Sequence, residues 1–263
     1  MHMGEVYQSH VEGFRAEIRK AAEQGPQQFF TWFDRSPGAE GALVRGAWDF
    51  ALHIARPLAG RVSEPEKKTV LEIGYGGGRL LASAARAFES AIGVDVHDCG
   101  DIVRTELSTR GINNVEFHCG DGSTLPIPDQ SVDVVYSFIV LQHVERFAVH
   151  QSLLRETARV LRPGGWAVLY HARMSRFSVH RASRVRFALD WLLEHTLYAG
   201  RYREFPANIN DINVRLSLPR ARREARSAGL RPVDTFVSRR RVPDGYARFG
   251  EQFGLVLHKP GID

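Results

Sequence analysis

Short runs dense in Val, Ile and Leu recur along this chain, and stretches with helical spacing separate them. Val70-Leu71-Glu72-Ile73 reads as a strand buried on both faces, since apolar residues occupy both side-chain parities, and Ala91-Ile92-Gly93-Val94 and Val132-Asp133-Val134-Val135 read as further strands. Helical spacing follows the first run over residues 80–88. Upstream, residues 5–23 are charged and periodic, and residues 41–58 carry Leu43, Trp48, Leu52 and Ile54. Gly25-Pro26 and Ser36-Pro37-Gly38 interrupt these helices. Downstream, residues 166–171 predict a strand, 218–230 a helix, and 232–238 and 252–259 two more strands. The order predicts an α/β domain with a doubly wound sheet.

The first strand runs directly into Gly74-Tyr75-Gly76-Gly77-Gly78-Arg79, with Glu72 just before the glycines. Glycines at a strand end allow a tight turn that brings backbone N–H groups against a ligand. In a dinucleotide-binding loop starting at Gly74, a third glycine would fall at position 79, which is Arg79. Glu72 would repel a pyrophosphate and suits a ligand carrying an ammonium and a sulfonium, which points to S-adenosylmethionine. Asp95 ends a strand about twenty residues on, at the carboxyl edge of a parallel sheet where such folds bind ligands. An unpaired buried acid is costly, so a diol is a fitting partner there.

With His118-Cys119-Gly120-Asp121-Gly122, Ser131 to Ser137 and Arg159-Val160-Leu161-Arg162-Pro163-Gly164-Gly165, these segments resemble the class I S-adenosylmethionine-dependent methyltransferases. The likeness runs over residues 69–169, with a weaker tail to 259. It implies a seven-stranded Rossmann-like sheet, with Glu72, Gly74, Gly76 and Gly78 around the methionine part of the cofactor and Asp95 on the ribose hydroxyls. Asp121 would accept from the adenine amino group and Gly122 would offer its N–H, although turn chemistry alone also explains Asp121. Ser137 and Gln142 are further candidate cofactor contacts. The implied division is a helical N-terminal lid (1–66), the cofactor-binding core (67–172), a helical cap insertion (173–216) and a C-terminal completion of the sheet (217–263).

Composition adds two constraints. Cys99 and Cys119 make no framework and no C-x-x-C pair, so a reducing cytoplasm is the default compartment and no structural metal is expected. No apolar run approaches the roughly 18 residues of a spanning helix. The net charge of +5 is unevenly held, because residues 173–248 contain 17 arginines, no lysine and 7 acids. Arginine recognises carboxylate and phosphate in bidentate fashion, so this surplus suggests an anionic acceptor or a phosphorylated carrier. Nucleic acid is disfavoured because the aromatic platform for single strands is poorly developed. Residues 187–198, with Trp191, Leu192 and Leu193, read as a packing or homodimer helix rather than a membrane anchor.

A sulfonium methyl is already electrophilic, so the protein mainly aligns an acceptor and excludes water, with a base helping when a hydroxyl must lose its proton. His143, after the fourth strand, is the first candidate base, and His171, past the fifth, the second. Tyr7, His10, Trp32 and Arg173 are candidate substrate contacts, with Phe29, Phe30 and Phe33 as further lid residues. The chain lacks the Asn/Asp-Pro-Pro signature of enzymes methylating exocyclic base amines, the acid set of a magnesium-dependent catechol enzyme, and a nucleophilic cysteine after the fourth strand. The expectation is therefore O-methylation of a small, acidic or sugar-like molecule. N-methylation of a small amine is the rival, followed by RNA or protein methylation and a binding protein without turnover.

Overall fold

A computed structural model describes residues 3–34, 38–179, 181, 183–239, 241–242, 245–246 and 249–261. Five parallel strands form the centre: β1 (Thr69–Ile73), β2 (Ser90–Asp95), β3 (Val115–Cys119), β4 (Val132–Ser137) and β5 (Leu161–Ala172). Further along the chain come β6 (Tyr202–Glu204), β7 (Val214–Leu216), β8 (Arg231–Val237), the two-residue strands β9 (Arg241–Val242) and β10 (Gly245–Tyr246), and β11 (Gln252–His258). The main sheet has the order β3-β2-β1-β4-β5-β11-β8, with β11 antiparallel to both neighbours. This is the doubly wound seven-stranded sheet that the sequence pattern and the family likeness predict.

Period-two alternation explains why the strands read as continuous apolar runs. Leu71, Val135 and Leu169 pack into one core layer with Leu153 and Leu154 of helix α7 (Phe147–Val160) and with Ala221 and Ala225 of α9 (Leu218–Ser227). Their neighbours Val70, Val134 and Val168 face the opposite layer. There they meet α5 (Leu81–Ala87), α6 (Gly100–Ser108) and the N-terminal helices. Those are α1 (Met3–Glu23), α2 (Pro26–Phe33) and α3 (Gly38–Phe50), the last continuing through a π-helical turn at Ala51–Ala55 into α4 (Arg56–Leu58). Asp133 ties strands together at their start: its carboxylate accepts from the Thr69 amide at 2.9 Å and pairs with Arg162.

The segment expected as a helical cap is mixed. It holds α8 (Arg184–His195) and the antiparallel β6–β7 pair, and Val214 and Leu216 of β7 are fully buried in the core layer of α7. Two apolar side chains separated by one residue satisfy a strand better than a helix face, which accounts for the hairpin. The amides of Asn213 and Val214 both donate to the carbonyl of Gln142, at 2.8 and 3.1 Å, so the insertion is bonded to the loop after β4.

Candidate active site

At the carboxyl ends of β1, β2 and β4, beneath α1 and α2, lies a cavity of about 310 Å³. Glu72 reaches it from β1. Its side chain is almost wholly buried and accepts a hydrogen bond from the Tyr136 hydroxyl at 2.8 Å. Burial pushes the Glu72 carboxyl up to about 8, against the opposing effects of that hydrogen bond and of Arg79. A buried acid so poorly compensated is a place prepared for a cation.

Gly74 and Gly76 line the same cavity with φ of +78° and +53°. A Cβ on Gly74 would stand 2.3 Å from Val140, and one on Gly76 would stand 2.9 Å from Phe33, so both turn and space demand glycine. Gly78, at φ +73°, serves the helix packing instead: a Cβ there would meet Val103 of α6 at 2.4 Å, and Gly78 is not part of the cavity wall.

Asp95, at the end of β2, lines the cavity and accepts from the amides of Gly76 at 2.8 Å and Val96 at 2.7 Å. His97 completes this brace. Its Nδ1 accepts from the Cys99 amide at 3.2 Å, so Nε2 carries the hydrogen and donates to the Gly76 carbonyl at 3.1 Å. The acid that ends β2 thus fixes the glycine loop and leaves carboxylate lone pairs for a ligand.

The lid side is supplied by His10, Phe14 and Ile18 of α1 and by Trp32 and Phe33 of α2. Arg15 straps α1 across the strand ends, donating to the carbonyls of Val96 at 2.7 Å and Gly120 at 3.0 Å. From the loop after β4 come Phe138, Ile139, Val140, His143, Val144 and Glu145. Ile139 holds φ +68°, a left-handed conformation that is a strained outlier for a β-branched residue. His143 Nδ1 lies 2.6 Å from the Asp211 carbonyl, which can only accept, so Nδ1 carries the hydrogen and Nε2 accepts from the Gln142 amide at 3.1 Å. Burial lowers the His143 pKa although the Asp211 carbonyl opposes it, which keeps the ring neutral. Glu145 Oε1 accepts from Arg146 at 3.0 Å, while its buried Oε2 has no hydrogen-bond partner among the described residues.

Residues 71–169 match a family described as a methyltransferase domain. These residues form a methyltransferase domain, similar to the class I S-adenosylmethionine-dependent methyltransferases. Among curated relatives, a fatty-acid O-methyltransferase of Mycolicibacterium smegmatis is 36% identical over 113 residues, covering 42% of this chain and 39% of that one. A malonyl-[acyl-carrier protein] O-methyltransferase of a Marinomonas strain is 26% identical over 54% of this chain and 51% of that one. The chain thus spans only about half or less of the curated relatives it matches. In fold, a Burkholderia thailandensis 1,6-didemethyltoxoflavin-N1-methyltransferase, solved with S-adenosylhomocysteine, superposes at TM-score 0.61 with 17% identity, over 99% of this chain and 92% of that one.

Several residues singled out in the sequence stand away from the cavity wall. The Asp121 carboxylate is taken up by its own turn, accepting from the amides of Ser123 and Thr124 and from both hydroxyls at 2.7–3.1 Å. Burial opposes its charge, but these bonds outweigh it and hold its pKa below the usual range. Gly122 and Thr124, not Asp121, line the cavity. The Ser137 hydroxyl is buried and donates to the Ile73 carbonyl at 3.0 Å, a tie between β4 and β1. Gln142 is buried behind His143 and reaches the cavity only through it.

His171 is corrected as a candidate base. It is buried in the opposite core layer, with Nδ1 2.8 Å from Nε2 of His150, and it does not line the cavity. Strand alternation is the reason: Tyr170 faces the lid layer, so its neighbour His171 faces the other. Arg173 is corrected likewise. Its guanidinium is buried against Glu194 at 2.9 Å and Asp190 at 3.8 Å, over the Phe187 ring, with nothing turned to the cavity. The Tyr7 side chain lies outside the described residues. Arg15, His97 and Glu145 escaped the sequence reading. Only His97, two residues past the β2 acid, and Glu145, two past His143, carried a positional hint.

Proposed function

We propose that this protein transfers the methyl of S-adenosylmethionine to a hydroxyl of a small molecule. The observation that carries this reading is the convergence of Glu72, the glycine loop, Asp95 and His143 on one cavity beneath an aromatic lid. The residues fit the cofactor. Glu72 would meet its ammonium, the amides of the glycine loop its carboxylate, Asp95 its ribose diol, and Gly122 with Thr124 and Leu125 its adenine end. When bound, the cofactor supplies an electrophilic methyl.

The chain's own residues then do the rest. Trp32, Phe33, Phe14 and Phe138 exclude water, and Arg15 keeps α1 closed over the strand ends. Neutral His143 presents Nε2 as proton acceptor once the Gln142 amide swings aside, with Asp211 holding the tautomer. These steps need alignment and one proton transfer.

The acceptor we favour is largely apolar. Residues 173–216 contribute only Asn210 to the described wall, and Arg45 and Arg79 reach it already paired with Asp34 and Asp49, so the arginine surplus lends no support there to an anionic acceptor. A second reading, N-methylation of a small amine, is favoured by the unpartnered Glu145 oxygen, which suits an N–H donor. The test is transfer of labelled methyl into a metabolite extract of the source organism, separated into small-molecule, lipid, protein and RNA fractions, with Asp95→Ala as blank. Label in the small-molecule or lipid fraction supports the proposal; label in RNA or protein contradicts it.

A further inference from the structure

Helix α8 is built inside out. Its inward stripe is Phe187, Asp190 and Glu194, and both carboxylates are essentially inaccessible against the buried guanidinium of Arg173. Asp190 also accepts from the hydroxyls of Ser175 and Ser178 and the amides of Phe177 and Ser178. The outward stripe, half a turn away, is apolar: Val185 is 72%, Leu189 50% and Leu192 56% exposed, and Leu197 follows at 55% just past the helix. A surface helix ordinarily buries such a stripe, so this one is presented to something.

We propose that α8 docks the protein on an anionic lipid surface. At 100° per residue, Arg184 and Trp191 flank the apolar stripe on one side and Arg186 flanks it on the other, the arrangement of a helix lying in a bilayer interface. Arg181, Arg201 and Arg203 add exposed cations in the same segment, Arg176 is exposed but paired with Glu251 at 3.4 Å, and two of the three acids in residues 173–209, Asp190 and Glu194, are buried. A second copy of the chain would set these cations against their own duplicates, at a Coulomb cost that anionic headgroups turn into attraction. Among the described residues no helix is long and apolar enough to cross a membrane, so α8 lies on the surface. The inference is independent of the methyl-transfer reading.

Sedimentation with sucrose-loaded vesicles tests it, comparing phosphatidylcholine alone with phosphatidylcholine containing roughly 30 mol% phosphatidylglycerol. The full chain should pellet with the anionic vesicles at least about tenfold more strongly than with the neutral ones, and added salt should weaken the association. Leu189→Ser/Leu192→Ser should remove most of this binding. Its melting temperature should stay unchanged, since both side chains are exposed. Addition of anionic vesicles should blue-shift emission in the wild type but not in Trp191→Phe. Failure to pellet with anionic vesicles overturns the proposal, as does equal pelleting of the double variant. A dimer that the double variant dissociates, without vesicle binding, would assign the face to a second copy instead.

Discussion

Tyr136 donates its hydroxyl to Glu72 at 2.8 Å across neighbouring strands, and both side chains are buried. Without ligand, Glu72 holds its proton up to about pH 8, whereas an unfolded glutamate loses it near 4.5. The ligand-free fold therefore loses stability as pH rises through that window. Glu72→Gln should raise the melting temperature at pH 8 and weaken S-adenosylhomocysteine binding. Tyr136→Phe, which removes the bond that favours the carboxylate, should shift the pH dependence to still higher pH. Thermal melts between pH 5 and 9 check both.

Binding of a ligand ammonium beside Glu72 should drive off that proton. Calorimetry at pH 7 in buffers of different ionisation enthalpy should show release of about one proton per S-adenosylhomocysteine bound, and none with Glu72→Gln. Equal heats in all buffers would contradict displacement of a proton from Glu72.

His143→Ala should lower turnover by about 100-fold or more while leaving S-adenosylhomocysteine affinity within about threefold. Because burial depresses the His143 pKa below 6.5, kcat should hold its plateau through that pH rather than fall there. Undiminished turnover by the variant would leave alignment alone as the catalytic device.

Ile139→Gly should relieve backbone strain of about 1–2 kcal/mol, offsetting the packing that the side chain provides. The melting temperature should hold or rise while turnover drops, since the loop that shapes the acceptor end is set free. A large fall in melting temperature would show instead that the Ile139 side chain holds this loop in place.

Arg15→Ala should uncouple α1 from the strand ends by removing two hydrogen bonds to carbonyls, worth about 2–4 kcal/mol together. Faster tryptic cleavage within α1 and faster ligand release by stopped flow should follow.

The sheet was legible because its central strands β1, β4 and β5 carry buried apolar residues on both parities, and the cofactor loop because its glycines sit where the backbone turns left-handed. Side-chain direction was not legible. His171 and Tyr170 are adjacent, and a shift of one residue decides which enters the lid layer. Nor could the sequence reveal that Asp121 would be consumed by Ser123 and Thr124, since a free and a turn-bound acid read alike. The arginine surplus misled for the same reason: Arg173 looks like a surface cation in sequence and is the buried partner of two acids in space.

The most direct test of the central claim is titration calorimetry of S-adenosylhomocysteine into the full chain and into Asp95→Ala. The account predicts one-to-one binding by the wild type and loss of it in the variant, whose brace on Gly76 and Val96 is gone. No binding by the wild type, or equal binding by Asp95→Ala, would contradict it.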